Sequence, residues 1–223
     1  MSDYVYKNRI YQVAASVCVA VFIVNMAFCL MCGNKFVYNR INMQQGDEVR
    51  TEDAAELSDI QAEIIFSQLS DDFITIFKGD YDITGYDITK DNVKRLNALK
   101  WRYRKSVLLV MFSVAGFIYC YIELAKRREL APLIYGSVLS LFLLVFRAFI
   151  IMISKRGVNY YIKLMLLKRD YGYFGEGDIL SRLFPPDYAR YMALLYAGYV
   201  VVLACCVLLI RKLIVWAGKP HKY

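Results

Sequence analysis

Histidine is almost missing from this chain: His221, in the terminal tail, is the only one among 223 residues. That scarcity argues against a metal centre of the usual imidazole and thiolate type, and it leaves no base for a serine-histidine-aspartate arrangement. A phosphate-binding glycine loop, an internal repeat and a low-complexity tract are also missing. The six cysteines do not form a framework, because Cys18, Cys29, Cys32, Cys120, Cys205 and Cys206 all fall in apolar stretches, where a thiol behaves as a small hydrophobe. Cys29-x-x-Cys32 lacks both the βαβ context of a redox motif and the further ligands of a metal site. No metal and no cofactor is expected.

Apolar residues fill the space these absences leave. They make up 58% of the chain, and the mean hydropathy is +0.36, above the balance of an average soluble domain. The net charge is +8 and the pI about 9.1. Nucleic acid is not the expected partner, since the basic residues sit beside apolar stretches, where anionic headgroups are the commoner counter-charge. Four stretches reach the length of about 20 residues that a bilayer demands: Ile10 to Cys32, Ser106 to Leu124, Leu130 to Ile153 and Tyr191 to Ile210. The expected fold is therefore an all-α membrane protein. It is a four-helix transmembrane bundle forming one domain over residues 1–223, with an extracytoplasmic layer of short helices and a small strand element.

The first stretch is too long for a signal peptide and has no small-x-small cleavage site. Neither Cys29, after Phe28, nor Cys32, after Met31, follows the small residue a lipoprotein signal requires. Lys126, Arg127 and Arg128 fill a short turn between spans two and three, and Lys7, Arg9, Arg211 and Lys212 flank the termini on that side. The positive-inside rule then places both termini in the cytoplasm. Lys100, Arg102, Arg104 and Lys105 point the other way, but they end a long loop, and long loops cross largely regardless of charge. The segments 33–105 and 154–190 are accordingly expected outside.

Asn25 lies within span one, where an amide usually bonds a neighbouring helix. Thr51 caps an amphipathic stretch ending near Asp71 and Asp72, and Phe73 to Phe77 reads as extended. Thr89 is a second cap, Asp91 suits the positive end of a helix dipole, and Val93, Leu96, Leu99 and Tyr103 form a stripe leading without a break into span two. Asp80, Asp82, Asp87 and Asp91 lack the spacing and closing glutamate of a calcium loop and read as a solvated rim. Arg147, near the outer end of span three, has two open readings: a side chain snorkelling to the headgroups, or one facing the bundle to hold a phosphate or carboxylate. Tyr119, Tyr121, Tyr135, Tyr188 and Tyr191 sit near span ends as interface anchors.

Between spans three and four, YYIKLMLLKRDYGYFGEGDILSRLFPP, from Tyr160 to Pro186, has interfacial character. Tyr160, Tyr161, Leu164, Met165 and Leu167 give an apolar stripe interrupted by Lys163, Lys168 and Arg169. Asp178 can cap the run Ile179 to Phe184, which Pro185 and Pro186 should stop. A shelf of this kind, with Leu164, Leu167, Leu183 and Phe184 as walls, would make a groove open sideways to lipid.

The order of elements, the run Asp178-Ile179-Leu180-Ser181-Arg182-Leu183-Phe184-Pro185 and the preceding Leu166-Leu167-Lys168-Arg169-Asp170 resemble the bacterial lipoprotein intramolecular transacylase family of four-span membrane proteins. The likeness covers most of the chain. It makes the Thr51 to Asp72 stretch the counterpart of the family's acidic-ended amphipathic helix and aligns Thr89-Lys90-Asp91-Asn92-Val93 with a histidine-methionine-x-aspartate-valine motif. The resemblance implies transfer of an acyl chain from the glycerol of a lipidated N-terminal cysteine to the amine of that cysteine. Such ester-to-amide transfer needs a base, a stabiliser for the oxyanion and a groove for acyl chains.

The family supplies two histidines for this work, and this chain has neither. Thr89 aligns with the first and Lys163, in Tyr161-Ile162-Lys163-Leu164, with the second. Lys163 has two open readings, a desolvated base or a snorkelling cation. By the resemblance, Lys163 and Thr89 take the catalytic positions, while Arg147, Asp170, Asp178, Arg182, Leu183 and Phe184 form the substrate-binding set, with Arg147 or Arg182 near the oxyanion. The expected partners are membrane lipids and lipidated N-termini of lipoproteins. Two functions stay open: a non-catalytic binder of lipid or lipidated proteins, and an acyltransferase using Lys163. A membrane partner subunit with no lipoprotein link is a third.

Overall fold

The computed structural model describes residues 2–32, 90–125, 129–153 and 186–217. They form four helices: α1 (Ser2–Cys32), α2 (Lys90–Ala125), α3 (Ala131–Ile153) and α4 (Pro186–Ala217). Each contains a stretch long and apolar enough to cross a membrane: Asn8–Cys32, Lys100–Leu124, Ala131–Ile150 and Tyr191–Ala217. The shortest of these, Ala131–Ile150, has 20 residues, which at 1.5 Å rise spans roughly 30 Å, the thickness of the hydrocarbon core. The protein is an all-α, multi-pass membrane protein.

Local sequence explains where the helices begin and how far they run. α2 starts at Lys90, directly after Thr89, and continues without interruption into the span. α3 has Pro132 and α4 has Pro186 in the first turn, where the missing N–H costs nothing. α4 runs past Ile210 because Leu213, Ile214, Val215 and Trp216 restore apolar character after Arg211 and Lys212. The expected amphipathic helix at Thr51 to Asp72, the extended run Phe73 to Phe77 and the shelf Tyr160 to Pro185 lie outside the described residues.

Two compact units divide the chain, one made of Met1–Cys29, Lys105–Ile153 and Tyr196–Tyr223, the other of Leu30–Arg104 and Ser154–Leu195. α1 is the most buried of the four helices: over its most apolar 18 residues 39% are buried, against 17% over the corresponding 18 residues of each of the others. Val19, Ile23 and Ala27 of α1 meet Val200 and Ala204 of α4, with Leu133, Leu141 and Leu144 of α3 packed against them. Ala15 of α1 meets Cys120 and Leu124 of α2. Since lipid is as apolar as leucine, close packing of small residues and not water exclusion holds such helices together. Gly136 marks a close approach of α3 to α1. A Cβ there would come within 2.7 Å of the Ser16 carbonyl oxygen and closer still to Val19.

Polar groups in this core return their hydrogen bonds to their own helices. Ser16, Ser137 and Ser140 are buried, and their hydroxyls donate to Gln12 O (2.7 Å), Leu133 O (2.8 Å) and Ser137 O (2.8 Å). Asn25 corrects the expectation of a bond across helices: its Nδ2 donates to Val21 O of α1 at 2.8 Å. A carbonyl one turn earlier is within reach of the short side chain and needs no partner helix.

Glu129, between α2 and α3, accepts polar contacts from α1. Asn8 Nδ2 donates to both carboxylate oxygens of Glu129, at 3.2 and 3.3 Å, and Gln12 Nε2 donates to the second oxygen. Glu129 lies just before α3, where negative charge suits the helix dipole. Its amide also donates to Leu124 O at 3.4 Å, at the end of α2. These contacts bring the end of α2 and the beginnings of α1 and α3 together at one end of the unit.

Candidate functional site

One member of the expected site set falls within the first unit, near the end of α3. Arg147 is the member of the expected set that the structure describes. Thr89, Lys163, Asp170, Asp178, Arg182, Leu183 and Phe184 lie outside the described residues, together with Leu164 and Leu167 of the expected groove.

Arg147 stands in the last stretch of α3, three residues before the apolar span ends at Ile150. Its neighbours on the helix, Val145 at 66%, Phe146 at 49% and Phe149 at 57%, are exposed, and Arg147 is exposed with them. The guanidinium therefore joins the outward surface, which in a membrane is the lipid-facing one, and not the interior of the bundle. Arg147 Nη1 donates to the Tyr196 hydroxyl across a long 3.4 Å. Tyr196 lies five residues into the fourth span, which begins at Tyr191. The two residues are thus at similar depth on neighbouring helices. Among the described residues no carboxylate pairs with Arg147.

Sequence reasoning missed Tyr196, which has nothing to mark it among the other tyrosines of α4. The available signal was indirect: an arginine within an apolar span needs a polar partner, and a helix returning through the membrane must supply one at the same depth. Three of the expected aromatic anchors have described, exposed rings. Tyr119, Tyr135 and Tyr191 are exposed at 65%, 59% and 44%, and Tyr119 also lies near Tyr11, with ring centroids 6.4 Å apart.

In the second unit Lys100, read from the sequence only as a flanking charge, is buried to 3% exposure and Tyr103 to 9%. Lys100 is engaged by a partner, as burial of an ammonium requires. The signal was legible, because Lys100 falls four residues after Leu96 and three before Tyr103, on the apolar stripe of the helix. None of the six cysteines is in a disulfide, and among the described residues no group of histidine, cysteine and carboxylate side chains could hold a metal ion.

No family model and no curated protein matches the chain. Solved structures of the membrane integral lipoprotein intramolecular transacylase Lit from Bacillus cereus are similar to it. A form with a histidine-to-arginine mutation gives a TM-score of 0.81 at 15% identity, over 97% of this chain and 95% of that one. A form with a histidine-to-alanine mutation also gives 0.81 at 15% identity, over 97% of each chain. A further crystal form gives 0.79 at 15% identity, over 95% of this chain and 97% of that one. At this identity the likeness establishes the fold, and the four-span architecture is that of Lit.

Proposed function

We propose that this protein binds lipids or the lipidated N-termini of lipoproteins at the outer face of the cell membrane, and that it does so without the histidine-dependent acyl transfer. The observation that supports this most is the extent of the fold likeness: a TM-score of 0.81 over 97% of this chain and 95% of a structure named as a lipoprotein intramolecular transacylase. A likeness over nearly the whole of both chains favours retention of the groove as well as of the spans. The chemistry is a separate matter. Moving an acyl chain from ester to amine requires a base for the amine proton, and the only imidazole in the sequence is His221 of the terminal tail.

In this reading both termini are cytoplasmic, and the segments 33–105 and 154–190 lie outside. Leu164, Leu167, Leu183 and Phe184 form the walls for acyl chains, with Arg182 and Lys163 among the cations at the mouth and Asp170 and Asp178 completing the polar rim. Thr89 and Lys163 occupy the two former histidine positions. Lys163 then acts as a snorkelling cation, its stem on the apolar wall and its ammonium among headgroups.

A photoreactive lipopeptide with a diacylglyceryl N-terminal cysteine tests the reading on the purified protein. The expected result is labelling within residues 154–190, competed by unlabelled lipopeptide and not by the same peptide without lipid. Labelling that the lipid-free peptide competes away equally would overturn it.

A further inference from the structure

We infer that Cys18 of α1 and Cys120 of α2 form a redox-modification site, a thiol pair that a quinone dissolved in the bilayer closes into a disulfide joining the two helices. The inference goes beyond lipid binding and does not depend on it. The step balances: the two thiols give up two electrons and two protons, the sulfur–sulfur bond forms, and the quinone leaves as the hydroquinone.

The two cysteines stand 102 positions apart in the chain, and the packing of α1 against α2 brings them together. Cys120 is buried to 6% exposure in a cluster with Ala15 and Leu124. Cys18 follows Ala15 by three residues, on the same face of α1, and its Sγ lies 3.0 Å from the point that a Cβ on Gly116 would occupy. Gly116 in turn precedes Cys120 by four residues, on the same face of α2. The thiols are therefore diagonal neighbours across one interface, and they interact electrostatically. Gly116 and Ala15 are the small residues that let the two backbones approach, which suits the short Cα separation, about 4.4–6.8 Å, that a disulfide demands. The other cysteines are placed differently: Cys29 and Cys32 share the end of α1, and Cys205 and Cys206 are adjacent and exposed in α4, so a bond within either pair ties no two helices together. Depth selects the oxidant. Both thiols lie inside apolar spans, Cys18 ten residues from Asn8 and Cys120 four from Leu124. A charged, water-borne oxidant such as glutathione disulfide does not enter that layer, whereas an apolar quinone dissolves in it. Cys18, the more exposed of the two, meets the quinone, and Cys120 completes the bond.

The test uses the full-length protein in lipid nanodiscs, exposed either to a decyl-substituted benzoquinone or to glutathione disulfide, with peptides mapped by mass spectrometry without reduction. The quinone should link the peptide of Cys18 to the peptide of Cys120 and remove two of the six thiols from alkylation after denaturation, while glutathione disulfide should remove neither of this pair. Thermal unfolding should rise on oxidation and return to its starting point on reduction, because a bond closing so long a loop constrains the unfolded chain strongly. Cys18→Ser and Cys120→Ser should each lose none of their remaining thiols to the quinone. A variant combining Cys29→Ser, Cys32→Ser, Cys205→Ser and Cys206→Ser should form the link as the wild type does, which keeps the test valid should Cys120→Ser fold poorly. No link between Cys18 and Cys120 in the quinone-treated wild type, a link between Cys29 and Cys32 or between two copies in its place, or equal linking by glutathione disulfide, would overturn the site.

Discussion

Gly136 offers the sharpest perturbation of the fold that carries the site. It lies where α3 passes close to α1, and a methyl group there would come within 2.7 Å of the Ser16 carbonyl oxygen. That obstacle is backbone, so no rotamer change relieves it, and α1 and α3 must move apart. Overpacking of this kind costs about 1–3 kcal/mol. Alanine in place of glycine returns about 1 kcal/mol of helix propensity, leaving Gly136→Ala destabilised by up to roughly 2 kcal/mol, a fall of up to about 8 °C for a chain of this length. Gly198 is the internal control. It lies mid-helix in α4, and a Cβ there meets nothing within 4 Å, so Gly198→Ala gains propensity without a clash. Thermal unfolding of both variants in one detergent should shift in opposite directions, Gly136→Ala down and Gly198→Ala up by roughly 0.5–1 kcal/mol. A gain in Gly136→Ala matching that of Gly198→Ala would refute the close approach of α1 and α3.

Two further outcomes rest on the same geometry, and a third on the distribution of charge along the sequence. Glu129→Ala leaves the Asn8 and Gln12 amides without their acceptor and should lower stability by about 1–3 kcal/mol, whereas Asn8→Ala made in that background should add little; full additivity in thermal unfolding would show that the three side chains do not act together. Asn25→Leu should cost less than about 1 kcal/mol, because its bond returns to its own helix and both partners of that bond are local; a loss above about 3 kcal/mol would mean the amide bridges helices after all. With the six native cysteines replaced, Gly79→Cys should be labelled by an impermeant thiol reagent on intact cells and Lys126→Cys should not, and the reverse pattern would invert the topology.

What the sequence made legible is what a periodic, one-dimensional signal can carry. Apolar length identified the four crossings, and the stripe through Val93, Leu96 and Tyr103 foretold that α2 enters its span unbroken from Lys90. Arg147 stood out because a charge in an apolar run breaks the pattern. Features that depend on which residues of separate helices face one another were not legible. Gly136 against Ser16, Glu129 between Asn8 and Gln12, and Tyr196 beside Arg147 join residues 49 to 121 positions apart or on different spans, and no local rule pairs them. Asn25 went astray for the converse reason: the general habit of amides in membranes lost to a carbonyl four residues away. The shelf from Tyr160 to Pro186 was read from its alternation of lysines with leucines and tyrosines, and its groove stands as part of the proposal.

The claim that this protein binds lipidated N-termini without transferring their acyl chains is tested most directly by a single readout. The protein is expressed in a host that lacks its own N-terminal modification of lipoproteins, and the acylation state of a lipoprotein's N-terminal cysteine is read by mass spectrometry. An amine left free, in cells where the photoreactive lipopeptide labels the protein, is the predicted result. Appearance of an N-acylated cysteine, lost in Lys163→Met, would contradict it and identify Lys163 as the base in place of the missing histidine.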